Sequence, residues 1–288
     1  MTPLNGTSPT ATSSPLSPVS RRGAELPTPT RWRSALAISL VVAALCLFDG
    51  NLDGNEAGKL ALARQAVDPG WIPGDWYLND SQGYQWLFQQ LSGRVVGWLG
   101  FGPGSLLLRL LGYGLWGWAL AGFTVPLGLP PALAALAAGL FSLQQGVVAA
   151  EWMVGSAEPK TFAYAALLLA YTAWRQRRWW PCGLYSGLAC SFHLLVGGFG
   201  VLSLAGLTLL RAGWRWRRPS LAPWTWGFLL AALPALLAVV EQLLGGAAHR
   251  RSPPGGACRR RAGSTWCCAI PTTCCPAAGR RATGPGWG

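Results

Sequence analysis

The sequence predicts an all-α fold, a polytopic transmembrane helix bundle of about seven membrane helices with a long outer loop carrying interfacial helices. Three observations predict it. Long apolar runs recur with almost no charge inside them. The arginines gather between some of these runs, and eight of the ten acidic residues gather between others, in Asp49–Asp80 and Glu151–Glu158.

Residues 1–33 form a leader, rich in Ser, Thr and Pro through Thr30. So few large apolar groups cannot offset the entropy of ordering, so a disordered cytoplasmic segment is expected. The candidate spans are Ala35–Phe48, Ser105–Leu129, Ala132–Ala150, Phe162–Trp174, Pro181–Leu210 read as two short helices, and Leu221–Leu244. A span needs about 20 mostly apolar residues. The first run starts too far into the chain and lacks a small-residue exit, so it reads as an uncleaved anchor. In the fifth and sixth pair, Gly197, Gly198 and Gly200 are the expected hairpin tip, with a re-entrant hairpin as the alternative to two spans. Gly183 and Gly187 make a Gly-x-x-x-Gly pair suited to close helix packing.

Orientation follows from arginine. Arg21, Arg22, Arg31 and Arg33 precede the first span, Arg175, Arg177 and Arg178 follow the fourth, and Arg211, Arg215, Arg217 and Arg218 follow the sixth. Such loops stay cytoplasmic. Seven alternating spans put all three clusters on one side and both acidic segments on the other. Trp179, Trp180, Trp214 and Trp216 then fall at the inner interface. The expected location is the bacterial inner membrane, with the N-terminus in the cytoplasm. The net charge of +13 is explained by these loops and anionic lipid, without nucleic acid as a partner.

Residues 34–246 make up the membrane domain, with its outer loop over 49–102. Within that loop, Asn55 caps a short helix over Glu56–Val67, stopped by Asp68-Pro69. Pro73-Gly74 makes a turn. From Gln82 to Leu99, Leu87, Phe88, Leu91, Val95 and Trp98 recur at helical spacing, the stripe of an interfacial helix. Asp49, Asp53 and Glu56 lie within eight residues at the mouth of the first span. They suit a divalent cation or a general base. A solvated acidic loop is the plain alternative.

Further along, Glu158-Pro159-Lys160 opens the fourth span. Proline near the first helical position and glutamate at the positive helix end suit capping as well as chemistry. His193 near the end of the fifth span and Arg109 inside the second are the other ionisable candidates. Arg109 suits an anionic phosphate or a snorkelling position.

Val67-Asp68-Pro69, Pro73-Gly74-Asp75-Trp76-Tyr77-Leu78-Asn79, Glu158-Pro159-Lys160-Thr161-Phe162-Ala163-Tyr164 and Phe192-His193-Leu194-Leu195-Val196-Gly197 are similar to segments of an uncharacterised bacterial polytopic family. Over about Asp49–Gly200, its layout resembles the membrane glycosyltransferases of the GT-C type. The resemblance implies sugar transfer from a polyprenyl-phosphate donor on the outer face. Catalytic carboxylates would come from Asp49, Asp53 and Glu56. Arg109, Glu158, Lys160 and His193 would form the substrate side. A transporter or a non-catalytic membrane scaffold are the alternatives, the first pointing to Gln144, Gln145, Arg109 and Glu241.

Residues 247–288 depart from this pattern. They hold seven arginines, no acidic residue and five of the eight cysteines, Cys258, Cys267, Cys268, Cys274 and Cys275, in no metal or disulfide spacing. Their place outside also breaks the orientation rule. Suitable codons for Thr265–Pro276, read one base earlier, give Tyr-Leu-Val-Leu-Arg-His-Pro-His-His-Leu-Leu-Pro, similar to an element of the same family. The expectation is a frameshift between Leu244 and Thr265, leaving a disordered, out-of-frame tail and an inactive site, with a genuine cysteine-rich outer tail as the alternative. The gene's DNA tests this.

Overall fold

The protein is seen in a computed structural model, which describes residues 28–47, 54–79, 85–149, 152–212 and 221–249. The described residues form helices and no strand: α1 (Thr28–Cys46), α2 (Gly54–Val67), α3 (Trp76–Asn79), α4 (Trp86–Leu99), α5 (Phe101–Thr124) with a 3-10 turn at Val125–Leu127, α6 (Pro131–Ala149), α7 (Pro159–Arg175), α8 (Trp179–Phe192), α9 (Leu194–Ala212) and α10 (Leu221–His249). Residues 1–244 make one compact unit. Residues 245–288 make a second, described only as far as His249, the end of α10.

Large apolar residues fill the cores between helices and also cover much of the surface. Many of the residues turned inward are small or polar: Ala119, Ala121, Ala163, Ala170, Ala189, Ala232, Ser92, Ser186, Gln65 and Gln145 are buried. Large apolar residues cover the outside, with Leu202 at 67 %, Leu230 at 65 % and Leu210 at 81 % exposure. Single exposed leucines are ordinary, but continuous apolar faces are not. Three helical stretches, Phe101–Leu127, Leu194–Arg211 and Leu221–Glu241, are long and apolar enough to cross a membrane. In hydrocarbon a helix satisfies its own backbone, and association runs through small residues that let backbones approach.

The packing uses that device repeatedly. α1 lies between α5 and α6, and Ala35, Ile38 and Val42 form a core with Tyr113, Trp116, Ala134 and Ala138. A Cβ on Gly117 would overlap Ser39, whose hydroxyl donates to the Tyr113 carbonyl at 3.1 Å. Gly183 and Gly187 on α8 meet the α10 backbone at Trp224 and Phe228, and the Ser191 hydroxyl donates to the Ala231 carbonyl at 2.5 Å.

The arginines of α1, α7 and α9 meet at one end of the bundle. Arg31 lies 3.9 Å from the Trp118 ring centre, Arg175 donates to the Phe123 carbonyl at 3.2 Å, and Arg211 lies 5.1 Å from the Trp174 ring centre. Trp179 and Trp180 start α8 directly after Arg178. The Arg215, Arg217 and Arg218 turn, with Trp214 and Trp216, lies outside the described residues.

At the other end, α2 and α4 pack against each other and over the start of α5. Gly93 allows α4 to touch the Ala63 carbonyl of α2, and Gly104 of α5 lies against Val96. Helix α4 starts at Trp86, and its apolar stripe divides. Phe88 turns inward to Leu60, Leu108 and Phe162, whereas Leu91 and Trp98 stay on the surface.

One expected feature is corrected. The break between α8 and α9 falls at His193, whose φ of −152° and ψ of 105° are extended, and α9 runs through Gly197, Gly198 and Gly200. These glycines are not the hairpin tip. Gly197 lets the first turn of α9 press on the Cys190 backbone, and Gly200 makes room for Leu167.

Candidate functional site

Helix α5 carries a polar stripe through an apolar sequence. Ser105, Arg109 and Tyr113 are spaced four apart, so they stand on one face, one turn above the next. The Ser105 hydroxyl donates to Glu56 Oε1. Arg109 donates to Glu56 Oε2 from Nε at 2.9 Å and from Nη2 at 2.6 Å. The Tyr113 hydroxyl donates to the Gly155 carbonyl. One helix face thus fastens α2 and the segment before α7.

Glu56 is fully buried at 0 % exposure, with both oxygens engaged. The sequence assigned Glu56 to the catalytic carboxylates and Arg109 to the phosphate side. The structure brings the two together as an ion pair. Asp49 and Asp53, the companions of Glu56 in the acidic segment, lie outside the described residues, as does Glu151. Among the described residues no group of three His, Cys, Asp or Glu side chains is arranged to hold a metal ion.

A second ion pair opens α7. Glu158 stands at the N-cap with an extended backbone, but its carboxylate makes no cap bond. It accepts from the Ser156 hydroxyl at 2.9 Å and lies 3.3 Å from Lys160 Nζ. Helix capping therefore accounts for its position and not for its side-chain contacts. Thr161 N–H bonds the Glu158 carbonyl, closing the first turn. His193 ends α8 and starts α9, and its Nδ1 accepts from Val196 N–H at 3.4 Å.

The same end is held by two glutamines that spacing did not single out for this work. Gln145, buried on α6, accepts from Met153 and Val154 N–H at 2.7 and 3.0 Å, and donates to the Val154 carbonyl at 2.7 Å and the Ser142 carbonyl at 3.2 Å. Gln65, buried on α2, donates to the Pro69 carbonyl and Asn79 Oδ1 at 2.9 and 2.8 Å and accepts from Ile72 N–H. Asp75 caps α3 by accepting from Leu78 N–H at 2.8 Å, after Gly74 turns with φ of 102°. The Pro73–Asn79 motif is therefore a self-bonded cap tied to α2. Gln65→Leu should raise amide exchange at Ile72 by roughly tenfold, one hydrogen bond's worth. Exchange mass spectrometry of the detergent-solubilised protein checks this.

An apolar groove of 770 Å³ runs between α5, α6, α7 and α9. Trp116, Phe141, Met153, Tyr164, His193 and Phe199 line it. Met153 is held there by the Gln145 clamp. In comparisons with protein-family models, curated proteins and solved structures, nothing matches this chain.

Proposed function

We propose that this chain is a multi-pass integral membrane protein in which α1, α5, α6, α7, α8, α9 and α10 cross the bilayer, with the arginine-bearing end in the cytoplasm. The carrying observation is the apolar surface of α1, α5, α6, α9 and α10, where large side chains such as Leu40, Leu110, Leu140, Leu202 and Leu230 face outward while Ala, Gly and Ser sit at the helix contacts. The arginines at one end give the direction. The expected setting is a bacterial inner membrane.

For the opposite end, the chemistry we favour is of the GT-C type, transfer of a sugar from a polyprenyl-phosphate donor. Three features support it. An acidic segment, Asp49 and Asp53, leads directly into α2. A basic group, Lys160, stands near the same end, and an apolar groove of 770 Å³ reaches His193. Because Glu56 is engaged by Ser105 and Arg109, the proton acceptor or cation ligand falls to Asp49 or Asp53, and Glu56 fixes α2 against α5. Charges act strongly where water is excluded.

Two of the four polar residues behind the transporter reading are engaged, Gln145 in a loop clamp and Arg109 with Glu56. The test is binding of a radiolabelled polyprenyl-phosphate hexose to the purified protein, followed by transfer to an acceptor. Binding is expected, and in a homologue with an intact C-terminal region the changes matching Asp49→Asn or Asp53→Asn should cut transfer by about 10²–10⁴-fold, the range for a lost general base. Failure to bind donor would leave a membrane scaffold.

A further inference from the structure

We infer that the surface pocket between α2 and α4 is a binding site for the phosphodiester headgroup of an anionic lipid. The inference rests on the membrane reading above and not on the transfer chemistry.

The pocket encloses 330 Å³ and is walled by Arg64, Val67, Gln90, Arg94, Gly97 and Trp98. Its two guanidinium groups come from different helices. They are brought side by side by the close crossing at Gly93 and Gly97: a Cβ on Gly93 would overlap the Ala63 carbonyl, and one on Gly97 would lie 2.8 Å from Arg64 Nη1. Arg64 is oriented by Asp68, at 2.8 Å. Among the described residues Arg94 gives Nη1 to the Gln90 carbonyl of its own helix at 3.0 Å. A guanidinium has five N–H donors, so most of the Arg94 fork remains for a ligand. The carboxylate of Asp68 offsets one of the two cations, leaving the pocket net positive.

Its surroundings select the ligand. On the outward face of α4, Leu91 and Trp98 flank Arg94, and Trp98 is 84 % exposed. A wheel that mixes Trp, Leu and Arg on one open face belongs in the headgroup layer, where indole and guanidinium groups both find partners. Planar guanidinium groups recognise phosphate oxygens in pairs. A lipid phosphate presents its oxygens at that depth while its chains lie along the apolar side of the helix, which a soluble phosphate cannot do.

The test is native mass spectrometry of the full chain in detergent, titrated with phosphatidylglycerol, with phosphatidylcholine and with soluble glycerol phosphate. The wild type should hold phosphatidylglycerol in preference to phosphatidylcholine. Arg94→Gln should weaken it by at least about tenfold, as for the loss of a charge-assisted bond. Gln90→Glu, which adds a carboxylate to the wall without removing either arginine, should weaken it similarly. Both side chains lie at the surface of α4, and circular dichroism on the same samples confirms folding. Wild-type retention of phosphatidylglycerol by both variants would overturn the assignment. So would competition by glycerol phosphate at matching concentration, which would make the ligand a soluble ester. Binding neither lipid would overturn the assignment as well, while the membrane reading is tested separately by the sidedness of its two ends.

Discussion

Arg109→Leu lowers the stability of the detergent-solubilised bundle by about 3–5 kcal/mol, the cost of leaving a buried charge without its partner. Glu56 has no water to turn to, and Ser105 alone answers only one of its oxygens. The substitution itself suits an apolar helix, so the loss comes from Glu56 and not from α5. Glu56→Gln, which removes the stranded charge but keeps the shape, should cost less. The double variant Glu56→Leu with Arg109→Leu should recover most of the loss, since apolar replacements for buried ion pairs are often neutral. Unfolding in SDS followed by tryptophan fluorescence measures all three. A double variant as unstable as Arg109→Leu would mean that the pair is not what holds α2 to α5.

The second large effect is expected at Gln145. Gln145→Leu strands the N–H groups of Met153 and Val154 and the Val154 carbonyl at once, at about 1–3 kcal/mol for each buried group. The bundle should remain helical, because α1 against α5 and α6 does not depend on this side chain. The segment before α7 should open, exposing Met153 and the Tyr113–Gly155 contact to exchange and to proteolysis. Gln145→Glu keeps the acceptor and loses the donor, so an intermediate effect is expected. Exchange at Met153 and Val154 equal to wild type in both variants would contradict the clamp.

Features fixed by local residues were legible in the sequence. The stop of α2 at Val67 follows from Asp68-Pro69, and α7 starts at Pro159 where proline at the first helical position belongs. The apolar runs found the long helices, three of which are long and apolar enough to cross a membrane. Partners far apart in the chain were less legible. Ser105, Arg109 and Tyr113 show their common face by spacing, yet nothing near them names Glu56 or Gly155 as the other half. Gln65 and Gln145 look like ordinary polar residues until the turns they bind are folded beneath them. Gly197, Gly198 and Gly200 suggest a turn by residue type, whereas close contact with Cys190 and Leu167 is what requires Gly197 and Gly200. Asp49 and Asp53 are legible only as an acidic segment, since they fall outside the described residues.

The central claim is that the Glu56–Arg109 end and the arginine-bearing end stand on opposite faces of a membrane. Labelling single cysteines with a membrane-impermeant maleimide in intact cells tests it most directly, in a chain whose eight native cysteines are replaced. Tyr77→Cys, exposed on α3, should label from outside, and Arg177→Cys, in the turn between α7 and α8, should label only after permeabilisation. Labelling of both positions from the same side would contradict the account.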